Sequence, residues 1–566
     1  MSQAVLSSGS PATARISRDA LILRIGVAVL VGWLLLTIAL PLWSLLSKSF
    51  QDGNGNFVGL ANYIVYFSTP TLFGSIYNSV WVAVLSTAIV IPIAFIYAYT
   101  LTRTKIPMKG LLYSAALLPL FAPSLLSAIS LIYLFGNQGL LKGFLFGGSI
   151  YGPAGIVLAQ VFYCFPHALI ILVAALGLAD ARLYEVADAL GTAKPRIFWT
   201  VTLPGAKFGL INACFVVFTL VVTDFGIAKV IGGQFNVLAT DAYKQVVGQQ
   251  NFAMGAVVGM VLLVPAVLAF VIDRMVQRRQ VALLSARAVP LEPRVKPLKD
   301  TAFMVYCLVI GGLIAAVLGV AVWGSFITYW PYNLSLSLKN YNFAEFEPNG
   351  YGPYFASLQM AAITAILGTA IIFSGAYLIE KGQGFATGRA FAQLLAMLPM
   401  AVPGLVLGLG YVFFINAKWN PLGVLYGTIL LLAINSIAHF YTTAHVTAVT
   451  ALKQIDNEFE AVSASLKVPF YRTFARVTVP VCIPAILDIA VYMFVNALTT
   501  VSAVIFLYGA STKLASISIV HMDEAGATAA AAAMATLIVL TALAVKVLHL
   551  VLDGLVFGKL QAWRRR

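Results

Sequence analysis

The sequence predicts an all-α integral membrane protein, with twelve transmembrane helices arranged as two parallel six-helix repeats. Three observations carry that prediction: an apolar composition, a series of uncharged stretches long enough to cross a bilayer, and an internal duplication. Of the 566 residues, 61% are hydrophobic and 10% charged, whereas roughly 25% charged residues is usual for a soluble domain. A chain this apolar lacks the polar surface to face water on all sides, so lipid must cover much of it.

A helix rises about 1.5 Å per residue, so crossing roughly 30 Å of hydrocarbon takes about 20 apolar residues. No formal charge lies between Arg24 and Lys48, between Asp52 and Arg103, between Lys109 and Lys142, or between Lys142 and Asp180. These runs are continuously apolar and do not alternate, which excludes barrel strands. Helices are expected near 22–46, 76–101, 111–135, 154–178, 208–231 and 254–273, then near 302–326, 355–379, 390–415, 423–448, 482–507 and 530–553. The organisation reads as a cytoplasmic tail (1–20), a first repeat (21–274), a basic cytoplasmic linker (275–300), a second repeat (301–556) and a basic C-terminal tail (557–566). The apolar run 21–46 is longer than a signal-peptide core and is expected to stay as the first helix.

The net charge of +15 does not require nucleic acid, because the basic residues gather in alternate loops. Arg103, Lys105 and Lys109 follow the second helix, and Arg182, Lys194, Arg196 and Lys207 follow the fourth. Arg274 borders the linker and Arg278, Arg279 and Arg287 lie in it, and Arg564, Arg565 and Arg566 end the chain. That alternation predicts two cytoplasmic termini and an even number of helices. Cys164, Cys214, Cys307 and Cys482 sit singly in apolar segments, without metal-ligand spacing, and are expected to pack as small core residues.

The duplication extends beyond hydropathy. "DARLYEVADAL" from Asp180 corresponds to "DNEFEAVSASL" from Asp456, an offset of 276 residues. "RIFWTVTLP" ending at Pro204 corresponds to "RTFARVTVP" ending at Pro480 at that same offset. "LLPLFAP", with Pro119 and Pro123, corresponds to "MLPMAVP", with Pro399 and Pro403, and these prolines are expected to kink the third helices. Six spans per half is an even number, so the halves enter the membrane alike and form parallel repeats.

The loop after the fourth helix is the most informative segment. It contains Glu185, Ala187 and Gly191, then nine residues, then Val201-Thr202-Leu203-Pro204. This spacing resembles the EAA signature of permeases in binding-protein-dependent ABC importers, with Val186 and Val201 as mild variants. A glycine here suits a sharp helix end in the left-handed region, and Lys194-Pro195 suits a helix restart. In the second half Ala461 stands where Glu185 does, Glu460 lies one position earlier, Lys467 replaces Gly191, and Pro480 is kept. Lysine in a positive-φ position costs on the order of 1 kcal/mol, so the second helix is expected to end differently.

The resemblance covers nearly the whole chain and implies a type I ABC importer permease-like fold in a bacterial inner membrane. It also implies short coupling helices that seat two cytoplasmic ATP-binding subunits, and a periplasmic solute-binding protein as the donor of solute. Fused permeases of this kind serve ferric iron and 2-aminoethylphosphonate importers, and "EAVSASLKVPFYRTF" with Asp-Phe-Gly at 224–226 resembles the phosphonate group more. No phosphate-binding loop is present, since Gly554 to Lys559 has the wrong glycine spacing. ATP is therefore expected to be used by a partner, with no cofactor or metal bound by this chain and no catalysis by it.

Four residues are candidates for the translocation path. Asp224, near the outer end of the expected fifth helix, is an acid in or near hydrocarbon, which is costly unless it faces a cavity or a partner. It would attract a cationic group or pair with nearby Lys229. Thr500 stands opposite it in the repeat. Gln160 and Asn435 hold related places in the fourth helices, where hydrogen bonding between helices is the expected use. His439 and His445, six apart, face different sides of a helix. A secondary active transporter is the main rival from another class, and it would need titratable groups at mid-membrane. A membrane enzyme or scaffold would need convergent reactive side chains or large soluble domains.

Overall fold

The computed structural model describes residues 18–283, 289, 291–293, 297–456 and 458–554. Residues 1–17 and 557–566 of the expected tails, and 284–288, 290 and 294–296 of the expected linker, lie outside the described residues.

In the first half, α1 spans Arg18–Ser49 and α2 Pro70–Arg103. α3 is broken into Lys109–Ala116 and Ser124–Phe135. α4 spans Pro153–Gly177, α5 Lys194–Thr223 and α6 Phe252–Leu283. In the second half, α7 spans Pro297–Phe326 and α8 Gly352–Glu380, while α9 is broken into Ala386–Ala401 and Gly404–Ile415. α10 spans Ile429–Lys453, α11 is bent between Phe470–Val481 and Ile483–Thr499, and α12 spans Thr528–Leu552. Among the described residues nine helices are long and apolar enough to cross a membrane, and the bent pairs of α9 (113°) and α11 (77°) bring the number to eleven. α3 is the repeat counterpart of α9 and completes the twelve.

Several boundaries differ from the sequence expectation, each for a local reason. The third helices do not merely kink. Leu118–Phe121 and Leu398–Ala401 form 3-10 turns, and Ala122 and Val402 are extended because the residue before a proline is driven out of the helical region. The fifth helices start earlier, at Lys194 and Phe470, and end earlier, at Thr223 and Thr499. Pro204 and Pro480 sit inside them just past π-helical turns at Phe198–Thr202 and Phe474–Thr478, wider turns that accommodate a residue without a backbone N–H. α6 continues to Leu283, past the expected boundary at 274, because 275–283 contains neither glycine nor proline. α10 begins at Ile429, after a 3-10 turn at Pro421–Leu425. The loop after α7 adds a small hairpin, β1 (Ile327–Tyr329) paired antiparallel with β2 (Asn333–Leu336).

The halves exchange their first helices. α1 packs on α9, and α7 packs on α3. Tyr411 of α9 donates its hydroxyl to the Thr37 carbonyl of α1 at 2.8 Å. Gly410 brings α9 so close that a Cβ would stand 2.7 Å from the Pro41 carbonyl oxygen. Across the other contact, a Cβ at Gly324 of α7 would stand 2.8 Å from the Tyr133 ring of α3. Glycine is the residue that allows each approach.

Candidate functional site

The loops after α4 and α10 fold into the same unit twice. Asp180 accepts the Arg182 backbone N–H at 3.1 Å, and Asp456 accepts that of Glu458 at 3.0 Å. Each carboxylate thereby caps a short helix, Ala181–Ala189 in the first half and Glu458–Ser465 in the second. Gly191 ends the first at φ 67° and Lys467 ends the second at φ 55°. The closing bonds match as well. Gly191 N–H reaches Asp188 at 3.0 Å and Thr192 N–H reaches Ala187 at 3.0 Å. Lys467 N–H reaches Ala464 at 3.1 Å and Val468 N–H reaches Ser463 at 2.9 Å. The expectation that Lys467 would change the ending is therefore corrected: the backbone bonds impose the left-handed turn and the lysine bears its cost.

Each helix turns an apolar face outward. Leu183, Val186 and Leu190 are 58%, 58% and 77% exposed, and their repeat counterparts Phe459, Val462 and Leu466 are 48%, 57% and 70% exposed. Spacings of three and four residues place each trio on one helix face. Such a face costs free energy in water unless something covers it. Glu185 and Ala461 are exposed beside these faces, Ala187 is buried, and Pro204 and Pro480 lie exposed at the start of the fifth helices' apolar parts. Leu203 is half-buried. Asp188 pairs with Lys194. The first unit is also held by the linker, where the Val289 carbonyl accepts the Ala181 N–H at 2.9 Å. Beside the second unit lies a cavity of about 390 Å³ lined by Asp19, Tyr377, Lys381, Glu460 and Ser463. Glu460 is turned into the protein, towards Lys381 at 3.5 Å, and so does not share the exposed face.

The path candidates fall at the breaks that follow the fifth helices. Asp224 is one residue past α5, not inside it. Its Oδ2 accepts from Gln160 Nε2 at 3.1 Å and from the Ile227 N–H at 2.9 Å, so it braces the short outer helix Gly226–Ile231. Lys229 pairs instead with Glu524 of the second half at 2.5 Å. Thr500 is likewise one residue past α11, and its carbonyl accepts from Ser516 Oγ at 2.6 Å. Asn435 Nδ2 donates to the Ala503 carbonyl at 2.8 Å, so Gln160 and Asn435 each tie a fourth helix to the break beyond a fifth. His445 meets Gln393 at 2.9 Å, while His439 lies beside Gly404. Sequence reasoning missed Tyr163 and Tyr492. Tyr163 lies within electrostatic range of Asp224 and Tyr492, which draws both halves to one place. For Tyr163 the signal was available in the polar aromatic cluster "VFYCFPH" of α4, whereas Tyr492 stands in "VYMFVN" of α11. Between α11 and α12, helix Ala515–Glu524 carries Asp523, whose carboxyl burial pushes up to about 6.

A duplicated six-helix membrane unit, each copy presenting a short capped helix with an outward apolar face between its fourth and fifth helices, defines a transport permease that works with partners. The chain belongs to the family described as binding-protein-dependent transport system inner membrane component, which matches residues 90–281 and 383–556; it is a fused, multi-pass permease subunit of an ABC importer. Each matched stretch holds one of the two capped-helix units. The chain is 29% identical over 472 residues to a ferric transport system permease protein of Haemophilus influenzae, covering 80% of this chain and 72% of that one. It is 27% identical over 490 residues to the ferric transport system permease protein FbpB of Actinobacillus pleuropneumoniae, covering 83% and 69%. A molybdenum transport system permease protein, ModB of Mycobacterium tuberculosis, is 30% identical over 169 residues, covering 29% of this chain and 64% of that protein.

Proposed function

We propose that this permease moves solute by alternating access, driven by two cytoplasmic ATP-binding subunits seated on residues 180–200 and 456–476. The repeats 21–274 and 301–556 rock against one another as the two seats are drawn together by ATP. Both termini lie in the cytoplasm, a periplasmic binding protein delivers solute to the outer loops, and this chain hydrolyses no ATP. One observation carries the reading: twin capped helices at a single repeat offset, each with an outward apolar trio. Val186→Asp with Val462→Asp puts a charge in the centre of both faces. Loss of the co-expressed ATP-binding protein from the purified complex, on the order of tenfold, is expected, because a charge without a partner is costly in a covered apolar contact. Undiminished co-purification would sink the proposal.

Two observations bear on the solute. The two ferric relatives, each aligned over most of both chains, support ferric iron. The segment Glu460 to Phe474 and the Asp-Phe-Gly at 224–226 support 2-aminoethylphosphonate, whose ammonium group suits an acid such as Asp224. Binding-protein-dependent uptake of labelled ferric iron and labelled 2-aminoethylphosphonate, measured side by side in cells lacking the native importer, separates the two.

A further inference from the structure

The two cytoplasmic helices are tied to the membrane at one equivalent position by different chemistry. Tyr184 and Glu460 correspond at the offset of 276 residues. Arg103, the last residue of α2, sets its guanidinium carbon 5.4 Å from the Tyr184 ring centroid. Its Nη2 donates to the Leu176 carbonyl at the end of α4 at 2.7 Å. Lys381, the first residue past α8, places its Nζ 3.5 Å from Glu460 Oε1 and donates to the Ile455 carbonyl, just past α10, at 3.0 Å. In each half one cation therefore joins three elements: the second helix, the end of the fourth, and the cytoplasmic helix.

The two cations are themselves repeat counterparts: Phe95, Tyr99 and Arg103 correspond to Phe373, Tyr377 and Lys381 at a local offset of 278 residues, and Phe95 and Tyr99 pack on Phe198 as Phe373 and Tyr377 pack on Phe474. The place of the tie is thus kept in both halves while the residue types at both its ends differ. The contact is made twice from one register, once against an aromatic face and once against a carboxylate. The Lys381 and Glu460 side chains are 5% and 15% exposed, so salt screens their attraction little. A helix held this way cannot shift without carrying the ends of its neighbours.

We propose that Arg103–Tyr184 and Lys381–Glu460 are the positioning contacts through which displacement of each cytoplasmic helix enters the transmembrane helices; this rests on the docking reading above. The same view explains why Glu460 sits one place before the position of Glu185: it is the inward tie, not part of the docking face.

The test uses the reconstituted importer, with this chain, its ATP-binding protein and its solute-binding protein in liposomes, and reads solute imported per ATP hydrolysed. Lys381→Met and the near-isosteric Glu460→Gln are each expected to lower that ratio roughly 3- to 30-fold, with the ATP-binding protein still bound. Lys381→Arg is expected to retain it, and the exchange Lys381→Glu with Glu460→Lys to recover most of it. Arg103→Met is expected to act in the first half as Lys381→Met does in the second. A ratio unchanged in both Arg103→Met and Lys381→Met, or an exchange no better than either single change, overturns the proposal. If the wild-type chain retains no ATP-binding protein, the docking reading fails first, and that is visible before any ratio is measured.

Discussion

Gly191 and Lys467 are the same backbone position written with two residues, and the comparison isolates what a side chain costs there. Both sit in the left-handed region, at φ 67° and 55°, and a Cβ added at Gly191 would meet nothing within 4 Å. Crowding by neighbours therefore plays no part, and only the local backbone penalty of about 1 kcal/mol separates them. Gly191→Lys is expected to destabilise the chain by about that amount, and Lys467→Gly to stabilise it by slightly less, because glycine also frees the unfolded chain. Unfolding midpoints of the purified protein in detergent measure both, and transport is expected to survive each change. A loss of several kcal/mol on Gly191→Lys would mean that the glycine has a packing role not visible in its surroundings. The sequence made the cost at Lys467 readable but not its outcome. Residue propensity is a local quantity, whereas the closing bonds from Lys467 and Val468 depend on where the whole cytoplasmic unit is anchored.

The break between α5 and the outer helix Gly226–Ile231 was hidden at the level of elements for a related reason. Apolar periodicity runs without interruption through "VFTLVVTDFGIAKVIGG", and nothing in it announces that the helix stops. What stops it is the Asp224 carboxylate, which captures the Ile227 N–H and is itself held by Gln160 from α4. The third-helix breaks, by contrast, were legible as prolines, though the depth of the 113° bend was not, because it needs two prolines acting on one extended residue between them. Asp224 thus has a structural task that is separable from its charge. Asparagine keeps an acceptor oxygen for Ile227 and removes the charge; alanine removes both. If bracing is the larger role, Asp224→Asn is expected to keep uptake within about threefold of wild type and Asp224→Ala to reduce it by on the order of tenfold, the loss of a buried charged hydrogen bond. Equal losses in the two variants at equal membrane levels would return the charge itself to the transport path.

On the scale of the molecule, the duplication seen in sequence becomes an exchange of helices that sequence could not convey. Hydropathy counts spans and repeat offsets align them, but neither says which half a first helix touches. α1 packs on α9 of the other half, closed by Tyr411 on Thr37 and by the bare backbone of Gly410, and α7 packs on α3 through Gly324. Lys229 with Glu524 adds a tie across the halves beyond the ends of the fifth helices. Each half therefore leaves a helix face uncovered until the other arrives, and in lipid such faces are held by close packing and hydrogen bonds more than by aversion to solvent. The covalent joint between them contributes proximity and the Ala181–Val289 bond to the first short helix, not the packing of the transmembrane helices. Cutting the chain after residue 288 and expressing the two pieces together is thus expected to yield a stable, transport-competent pair that co-purifies through a tag on either piece. Expressed singly, each piece is expected to accumulate to a small fraction of that level, as an unpaired α1 or α7 offers its packing face to lipid. Two pieces that were each stable alone and did not associate would contradict the exchange, and would leave α1 and α7 as ordinary members of their own bundles.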